Sequence, residues 1–196
     1  MRGVLAASLV AVLAALPGCG GSRQDADEPE GTFTLSVLQA SFPARQSIAQ
    51  QSRMHLQIRN TDDQALPNVA VTIDTDPGVK GAAPTAFGQA SPDTRLADAD
   101  QPIWIVDRPP EGGESAYTNT WVLGPLSPGA TKDVEWRLTA VRAGTYKVRY
   151  AVSPGLNGKA KAVEDGATPR GKITVRVQKA PAKTYVTNSG KVVSQQ

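Results

Sequence analysis

The chain has 196 residues, 40% of them hydrophobic and 20% charged, with a formal net charge of +3 at pH 7. These values lie in the ordinary globular range. A segment of about 150 residues is long enough to bury a sizeable core, so one domain with appendages is expected. The 18 glycines and 15 prolines indicate frequent turns and argue against an architecture of long helices.

The N-terminus has the pattern of a targeting segment. Arg2 supplies a positive start, and residues 4–16 are almost wholly apolar. Because these 13 residues are fewer than the ~20 that a transmembrane helix needs, we interpret residues 1–18 as a signal peptide that is removed on export.

The sequence Leu16-Pro17-Gly18-Cys19 resembles the bacterial lipobox. The resemblance implies that Cys19 becomes lipidated and holds the mature protein to the cell membrane on its extracytoplasmic side. Cys19 is also the single cysteine, so no intramolecular disulfide can form although an exported protein meets oxidising conditions. A secretory peptide with an incidental cysteine and an uncleaved apolar anchor are the alternatives.

The mature chain divides into three parts. Residues 19–31 are polar and without apolar periodicity, as in a flexible tether. Residues 32–180 form the predicted domain. Residues 181–196 are predicted to be a flexible tail, although apolar residues on both sides of Asn188-Ser189-Gly190 leave a short hairpin open.

Within residues 32–180, apolar side chains recur at every second position in short runs, which indicates strands with one buried face. We predict an all-β fold, an antiparallel immunoglobulin-like sandwich of seven or eight strands, because turn signals separate the runs and no helical period occurs. The predicted strands lie near residues 35–37, 54–58, 69–73, 103–106, 118–123, 134–138, 146–152 and 173–177.

Several local features sharpen this class. Tyr146 follows a turn and precedes Val148 by two residues, the spacing of the tyrosine corner in immunoglobulin-type sandwiches. Further motifs are Asn60-Thr61, Pro67-Asn68-Val69-Ala70-Val71, Leu126-Ser127-Pro128-Gly129, the Trp136 strand and Gly144-Thr145-Tyr146. In these motifs the chain resembles the CARDB-like group of bacterial immunoglobulin-like domains, named for a presumed link to cell adhesion. The resemblance implies this fold and no general catalytic residues.

Catalytic chemistry has few candidate residues. The single histidine, His55, lies in the middle of an alternating strand, where a solvated outward position is expected rather than that of a general base. No nucleophile-elbow motif and no nucleotide-binding glycine loop is present in the sequence. We therefore expect a non-enzymatic protein without a cofactor.

Metal ligands are similarly sparse. One histidine, one cysteine committed to lipid and Met54 do not make a transition-metal site. The sequence from Asp74 to Gly78 begins like a calcium loop but lacks its later ligands, and the aspartates are better interpreted as turn formers. Whether the aspartates of this connection bind calcium stays open at this stage: Asp74, Asp76, Asp98 and Asp100.

Charge is unevenly distributed along the chain. Residues 19–131 hold 7 basic and 14 acidic side chains, whereas residues 132–196 hold 13 basic and 4 acidic ones. Strand alternation places Lys147, Arg149 and Arg176 opposite core residues, so they are expected to share one positive face. In an extracytoplasmic compartment the expected partner is an envelope protein, an anionic envelope polymer or an anionic lipid headgroup. Nucleic acid is not expected there. A merely solubilising surface is the alternative.

Residues 76–101 form an unusually long connection for a compact sandwich. Phe87, Trp104 and Trp121 are the aromatic residues nearest to it in sequence, so they are candidates either for a recognition rim or for the core. The leading hypothesis is a non-catalytic binding or scaffolding module for an envelope or cell-surface partner. The alternative is a lipoprotein that binds a glycan or small solute with these aromatic residues.

Overall fold

A computed structural model describes residues 28–76, 85–89, 102–117, 119–181, 183–190 and 192–195. The signal peptide, Cys19, most of the predicted tether, Asp98 and Asp100 lie outside these ranges. All regular structure in the described part is β, and its strands are β1 (Gly31–Ser41), β2 (Arg45–Ile48), β3 (Gln51–Asn60), β4 (Ala70–Thr75), β5 (Phe87–Gln89), β6 (Trp104–Arg108), β7 (Glu114–Tyr117), β8 (Thr120–Val122), β9 (Thr131–Ala140), β10 (Gly144–Ser153), β11 (Ala160–Val163), β12 (Arg170–Pro181), β13 (Lys183–Val186) and β14 (Val192–Gln195).

The strands form two six-stranded sheets. The first has the order β11-β1-β3-β9-β6-β5, and the second has the order β2-β12-β10-β4-β8-β7. In the first, β1, β3, β9 and β6 follow the A-B-E-D order of an immunoglobulin sandwich, and in the second, β12, β10 and β4 follow its G-F-C order. The predicted all-β, immunoglobulin-like class is confirmed.

Two details differ from the prediction. The sheets contain more strands than the seven or eight expected, because β2, β5, β7 and β11 have only three or four residues each and carry little alternation to detect. The ladders are also not all antiparallel: β1 pairs with β11, β2 with β12 and β5 with β6 in parallel. The described tail residues form the β13–β14 hairpin around Asn188-Ser189-Gly190, which is the alternative that the sequence left open.

The core lies between the two sheets and is built by the alternating runs. Met54, Leu56 and Ile58 of β3 are fully buried, and their neighbours Val134, Trp136 and Leu138 of β9 are buried beside them. The second sheet contributes Val71, Ile73, Val148, Val152, Val175 and Val177 to the same cluster. Burial of these apolar surfaces is the main force that holds the sheets together.

The turn between β9 and β10 contains the predicted tyrosine corner. The hydroxyl of Tyr146 donates a hydrogen bond to the carbonyl oxygen of Ala143 at 2.8 Å, and Val148 two residues later is buried in the core. Burial raises the pKa of the Tyr146 phenol above its ordinary value, so the hydroxyl stays protonated and able to donate.

A buried polar cluster fixes the place where the chain crosses from the first sheet to the second. The side chain of Gln46 in β2 is almost fully buried. Its Oε1 accepts hydrogen bonds from Trp104 Nε1 at 2.8 Å and from Ser52 Oγ at 3.2 Å, and its Nε2 donates to the carbonyl oxygen of Pro43 at 3.0 Å. Each buried group is thereby satisfied, which ties β2 to strands of the opposite sheet.

A carboxylate closes the loop that follows β3. Asp62 accepts hydrogen bonds from the backbone N–H of Thr34 at 2.7 Å, from its hydroxyl at 3.1 Å and from the backbone N–H of Gln64 at 3.1 Å. These donors favour the charged form and lower the pKa of Asp62 from 3.8 to about 2, the Thr34 N–H contributing most.

We expect Asp62→Asn to weaken the acid dependence of stability. Because the pKa of Asp62 is lower in the folded chain than in the unfolded chain, its charged form stabilises the fold at pH values above the unfolded pKa. This contribution is lost as the pH falls from about 4 through about 2. The amide removes that titration, and because it offers a single acceptor oxygen it also lowers stability at neutral pH. Denaturant unfolding at a series of pH values measures both effects. Glu111→Gln, in an exposed turn, is the control and should leave the profile unchanged.

Candidate functional site

The outer face of the second sheet gathers the basic residues of β10 and β12. Thr145, Lys147 and Arg149 alternate with the inward Tyr146, Val148 and Tyr150. The antiparallel register sets Arg149 beside Lys172 and Lys147 beside Thr174. Lys147, Arg149 and Arg176, which the sequence placed on one face, therefore do share it.

Two of these three predicted residues are paired with a carboxylate. This carboxylate is Asp76, just after β4. Its Oδ1 lies 2.7 Å from Arg149 Nη1, and its Oδ2 lies 3.9 Å from Lys147 Nζ. Arg149 Nη2 also donates to the carbonyl oxygen of Thr75 at 3.0 Å. Part of the positive charge of β10 is thus neutralised within the domain.

The remaining basic residues of this face have no such partner in the described part of the chain. We define the cationic row as Arg45, Arg170, Lys172 and Arg176, all exposed. Within the described residues, none of these four forms an ion pair with a carboxylate. Arg45 and Arg176 are direct neighbours in the parallel β2–β12 ladder, and Arg170 lies opposite the small Ala151.

Sequence reasoning missed three members of this row. Arg170 and Lys172 have the same parity as Arg176 in β12, and this signal was available in the sequence. Arg45 was not predictable, because only the tertiary pairing of β2 with β12 brings it beside Arg176.

Two shallow grooves follow the cationic row. The first, of about 530 Å³, is lined by Thr72, Asp74, Arg149, Arg170 and Lys172, with Ala151 among its lining residues. The second, of about 830 Å³, lies where Arg45 and Arg176 meet the turn before β10 and the end of β12. Guanidinium and ammonium groups around open grooves are suited to bind phosphate or carboxylate groups.

The outer face of the first sheet has a different electrostatic character. Glu135 lies 3.8 Å from Arg53 and 3.5 Å from Arg137, and His55 Nε2 lies 3.0 Å from Asp133 Oδ1. Acidic and basic side chains are thus interspersed there, with the Arg53–Glu135 and His55–Asp133 contacts across the β3–β9 ladder and the Arg137–Glu135 contact within β9. His55 lies on this partly exposed outer face, as predicted from strand alternation.

The three aromatic candidates for a recognition rim are core residues. Phe87, Trp104 and Trp121 are 1%, 0% and 3% exposed, so the interpretation of these rings as an exposed rim is wrong for the described structure. They lie near the long connection in sequence, but β5 and β6 join the first sheet and β8 the second, and the rings pack between the sheets. Their ring centroids lie 5.9–6.1 Å apart in the pairs Phe87–Trp104 and Phe87–Trp121.

A cleft opens at the side of the sandwich where β5 and β6 face β7 and β8. It has a volume of about 760 Å³, and its walls include Phe87, Trp121, Val106 and Tyr117. Tyr117 is 56% exposed and is the most accessible aromatic ring there. A solute in this cleft would contact Tyr117 first, and the buried rings only at its inner wall.

The aspartates considered for calcium have other partners. Asp74 accepts a hydrogen bond from the Asn119 side chain, and Asp76 is paired with Arg149 and Lys147. Among the described residues, no cluster of three or more histidine, cysteine or acidic side chains could hold a metal ion. Asp98 and Asp100 lie outside the described residues.

The predicted anchor cannot be located in the structure, since Cys19 also lies outside the described residues. Within the described part of the chain, no helix has the length and apolarity that crossing a membrane requires.

Comparisons with family models and with curated proteins give no match. Among solved structures, the chain is similar to a CARDB domain from Pyrococcus furiosus crystallised in complex with di-metal ions, at 12% identity and a TM-score of 0.46, over 74% of this chain and 94% of that one. A solution structure of the same domain has 14% identity and a TM-score of 0.44 over the same shares. Native alpha-2-macroglobulin of E. coli has 14% identity and a TM-score of 0.42, over 79% of this chain and 8% of that one. The CARDB domains belong to the group that the sequence resembles.

Proposed function

We propose that this chain is an exported lipoprotein, held on the extracytoplasmic side of the cell membrane through Cys19, whose sandwich is a non-catalytic binding or scaffolding module. The outer face of the second sheet contacts an anionic envelope partner. The lipobox resemblance supports the location. The sequence, in which His55 is the single histidine and no nucleophile-elbow motif occurs, supports a non-catalytic role.

The cationic row is the observation that carries the binding role. Charges that serve only solubility are commonly mixed in sign, as on the outer face of the first sheet. The row instead concentrates on one face four cations that form no ion pair with a carboxylate of the described residues. Such a face attracts anionic partners at long range and contributes roughly 1 kcal/mol per basic residue near an anionic surface.

We expect the double variant Lys172→Gln/Arg176→Gln to contact its partner about tenfold less in intact cells. Two lost charges at roughly 1 kcal/mol each account for a change of at least this size. The measurement is the yield of photo-crosslinked adducts from a crosslinker placed at Thr174, an exposed position between the two.

The matched control is Arg59→Gln/Arg108→Gln. Both residues are exposed on the first sheet, so the net charge changes equally while the cationic row stays intact. Adducts should persist in this control. Equal loss in both variants, or recovery of nothing but bulk lipid from the wild-type chain, would contradict the proposal.

The non-catalytic part of the proposal has its own test. A hydrolase screen that found an activity abolished by His55→Ala would contradict it, since His55 is the single histidine and is the side chain best suited to acid–base work near neutral pH.

Glycan or small-solute binding is the second candidate function. The cleft beside Tyr117 and Trp121 favours it, because pockets of several hundred Å³ with aromatic walls suit such ligands. Titration of the full chain with cell-wall fragments, followed by tryptophan fluorescence, tests it. A response that Tyr117→Ala removes would support this function, and an unchanged spectrum would exclude it.

A further inference from the structure

We infer that the partner of the cationic row is a linear phosphate-bearing polymer that lies in an extended conformation along β12. This inference rests on the proposed function and names the chemistry of its partner. It follows from the spacing of the cations along the strand, from the absence of ion pairs between them and the carboxylates of the described residues, and from the polarity of the face around them.

The spacing of the row fits a chain rather than a compact anion. Side chains on one face of a strand repeat at about 6.7 Å, so Arg170 and Lys172 are neighbours, whereas Lys172 and Arg176 are separated by about 13 Å. Thr174 occupies the position between them, with Lys147 beside it on β10. The ammonium group of Lys147 lies 3.9 Å from Asp76, so Lys147 is not counted in the row. From Arg170 to Arg176 the cationic row spans about 20 Å, a distance that no single phosphate group can bridge.

The two grooves lie at opposite ends of the cationic row. One contains Arg170 and Lys172, and the other contains Arg45 and Arg176. A polymer with regularly repeated phosphates can occupy both at once. Its binding at the second groove is then intramolecular and gains from a high effective concentration.

The composition of the face distinguishes a polymer from a bilayer surface. Membrane-binding faces commonly combine basic residues with apolar or aromatic side chains that insert between the headgroups. The exposed large hydrophobic residues of the described chain are Leu38, Tyr117, Val141 and Tyr185. None of them belongs to β2, β10 or β12, so the row offers charge without an inserting side chain.

The test measures binding of dye-labelled long-chain inorganic polyphosphate to the full-length chain reconstituted in vesicles of phosphatidylcholine. Anisotropy should report binding that weakens with salt. If about four phosphates are contacted, log Kd should rise with log salt with a slope of roughly 3, and the Lys172→Gln/Arg176→Gln variant should lose roughly half of that slope. The Arg59→Gln/Arg108→Gln control should keep it.

Competition experiments separate the sources of phosphate. Inorganic orthophosphate should compete at least a hundredfold less well than polyphosphate at equal phosphate concentration, because it cannot span both grooves. Equal competition by orthophosphate would overturn the inference. It would also be overturned if the chain bound no polyphosphate and instead made row-dependent contact with vesicles that contain phosphatidylglycerol.

The failure of this inference is distinguishable from that of the proposed function. Row-dependent adducts in cells without polyphosphate binding would remove the polymer and leave the binding module. Absence of row-dependent adducts would remove the proposed function itself.

Discussion

Replacing Trp104 with alanine is expected to lower the free energy of unfolding by about 3–5 kcal/mol. The side chain is fully buried, and its ring centroid lies 5.1 Å from that of Phe42 and 5.7 Å from that of Tyr146. Truncation leaves a cavity and also removes the indole N–H that donates a hydrogen bond to Gln46 Oε1. Since whole domains are stable by only about 5–15 kcal/mol, the loss is large.

Denaturant unfolding of the wild type and two further variants resolves the causes. Trp104→Phe keeps most of the apolar volume and should cost less than Trp104→Ala. Its difference from wild type is set largely by the loss of one of the two hydrogen bonds to Gln46 Oε1, since Ser52 Oγ still donates the other. Tyr117→Ala, at a ring 56% exposed, should change stability by less than about 0.5 kcal/mol. A Trp104→Ala variant as stable as Tyr117→Ala would contradict the burial of Trp104.

The position of Trp104 also shows why a place near the long connection in sequence does not imply a place on an exposed rim. Trp104 follows that connection closely in the chain, as Phe87 lies within it. In the fold the two residues are partners in the parallel β5–β6 ladder, and their side chains point into the core. A three-residue strand such as β5 has too few positions to reveal its buried face by alternation.

The longer strands were predictable for the opposite reason. In β3, β9 and β10, each of 10 residues, the apolar period of two repeats several times, so the buried and outer faces can be read directly. That parity places Lys147, Arg149 and Arg176 on outer faces, and the β10–β12 ladder brings the three onto the same one.

Long-range pairing was beyond the reach of such patterns. The ion pairs of Lys147 and Arg149 with Asp76 depend on β4 lying beside β10, and Arg45 joins the row through the β2–β12 ladder. No local rule specifies which strands become neighbours. The chemically relevant distinction between paired and unpaired cations therefore emerges only in the fold.

Cys19→Ser is expected to move the protein from the membrane fraction to the soluble fraction. The acyl chains that the lipobox resemblance implies contribute about 0.8 kcal/mol for each buried CH₂ group, so they dominate membrane attachment. The described chain adds no spanning helix, and the attraction of its basic residues to anionic surfaces weakens with salt. Serine offers no thiol for lipid attachment, so the domain loses its durable anchor.

In the proposed lipid-anchored form, Glu28 limits the distance between the domain and the membrane. Its carboxylate accepts hydrogen bonds from the backbone N–H groups of Leu156 and Asn157, so the chain is fixed to the domain from this residue onward. From Cys19 to Glu28 an extended chain reaches at most about 30 Å. The sandwich is therefore expected to stay within about that distance of the lipid, near enough to contact envelope polymers close to the membrane.

Cell fractionation followed by a high-salt wash measures the anchor separately from the cationic row. The wild-type chain and Lys172→Gln/Arg176→Gln should both remain with membranes after the wash, since neither change touches Cys19. Cys19→Ser should be released almost completely, and mass spectrometry of the wild-type N-terminus should show an acylated cysteine. Retention of Cys19→Ser through the wash would refute the lipid anchor and favour an uncleaved apolar segment at residues 4–16.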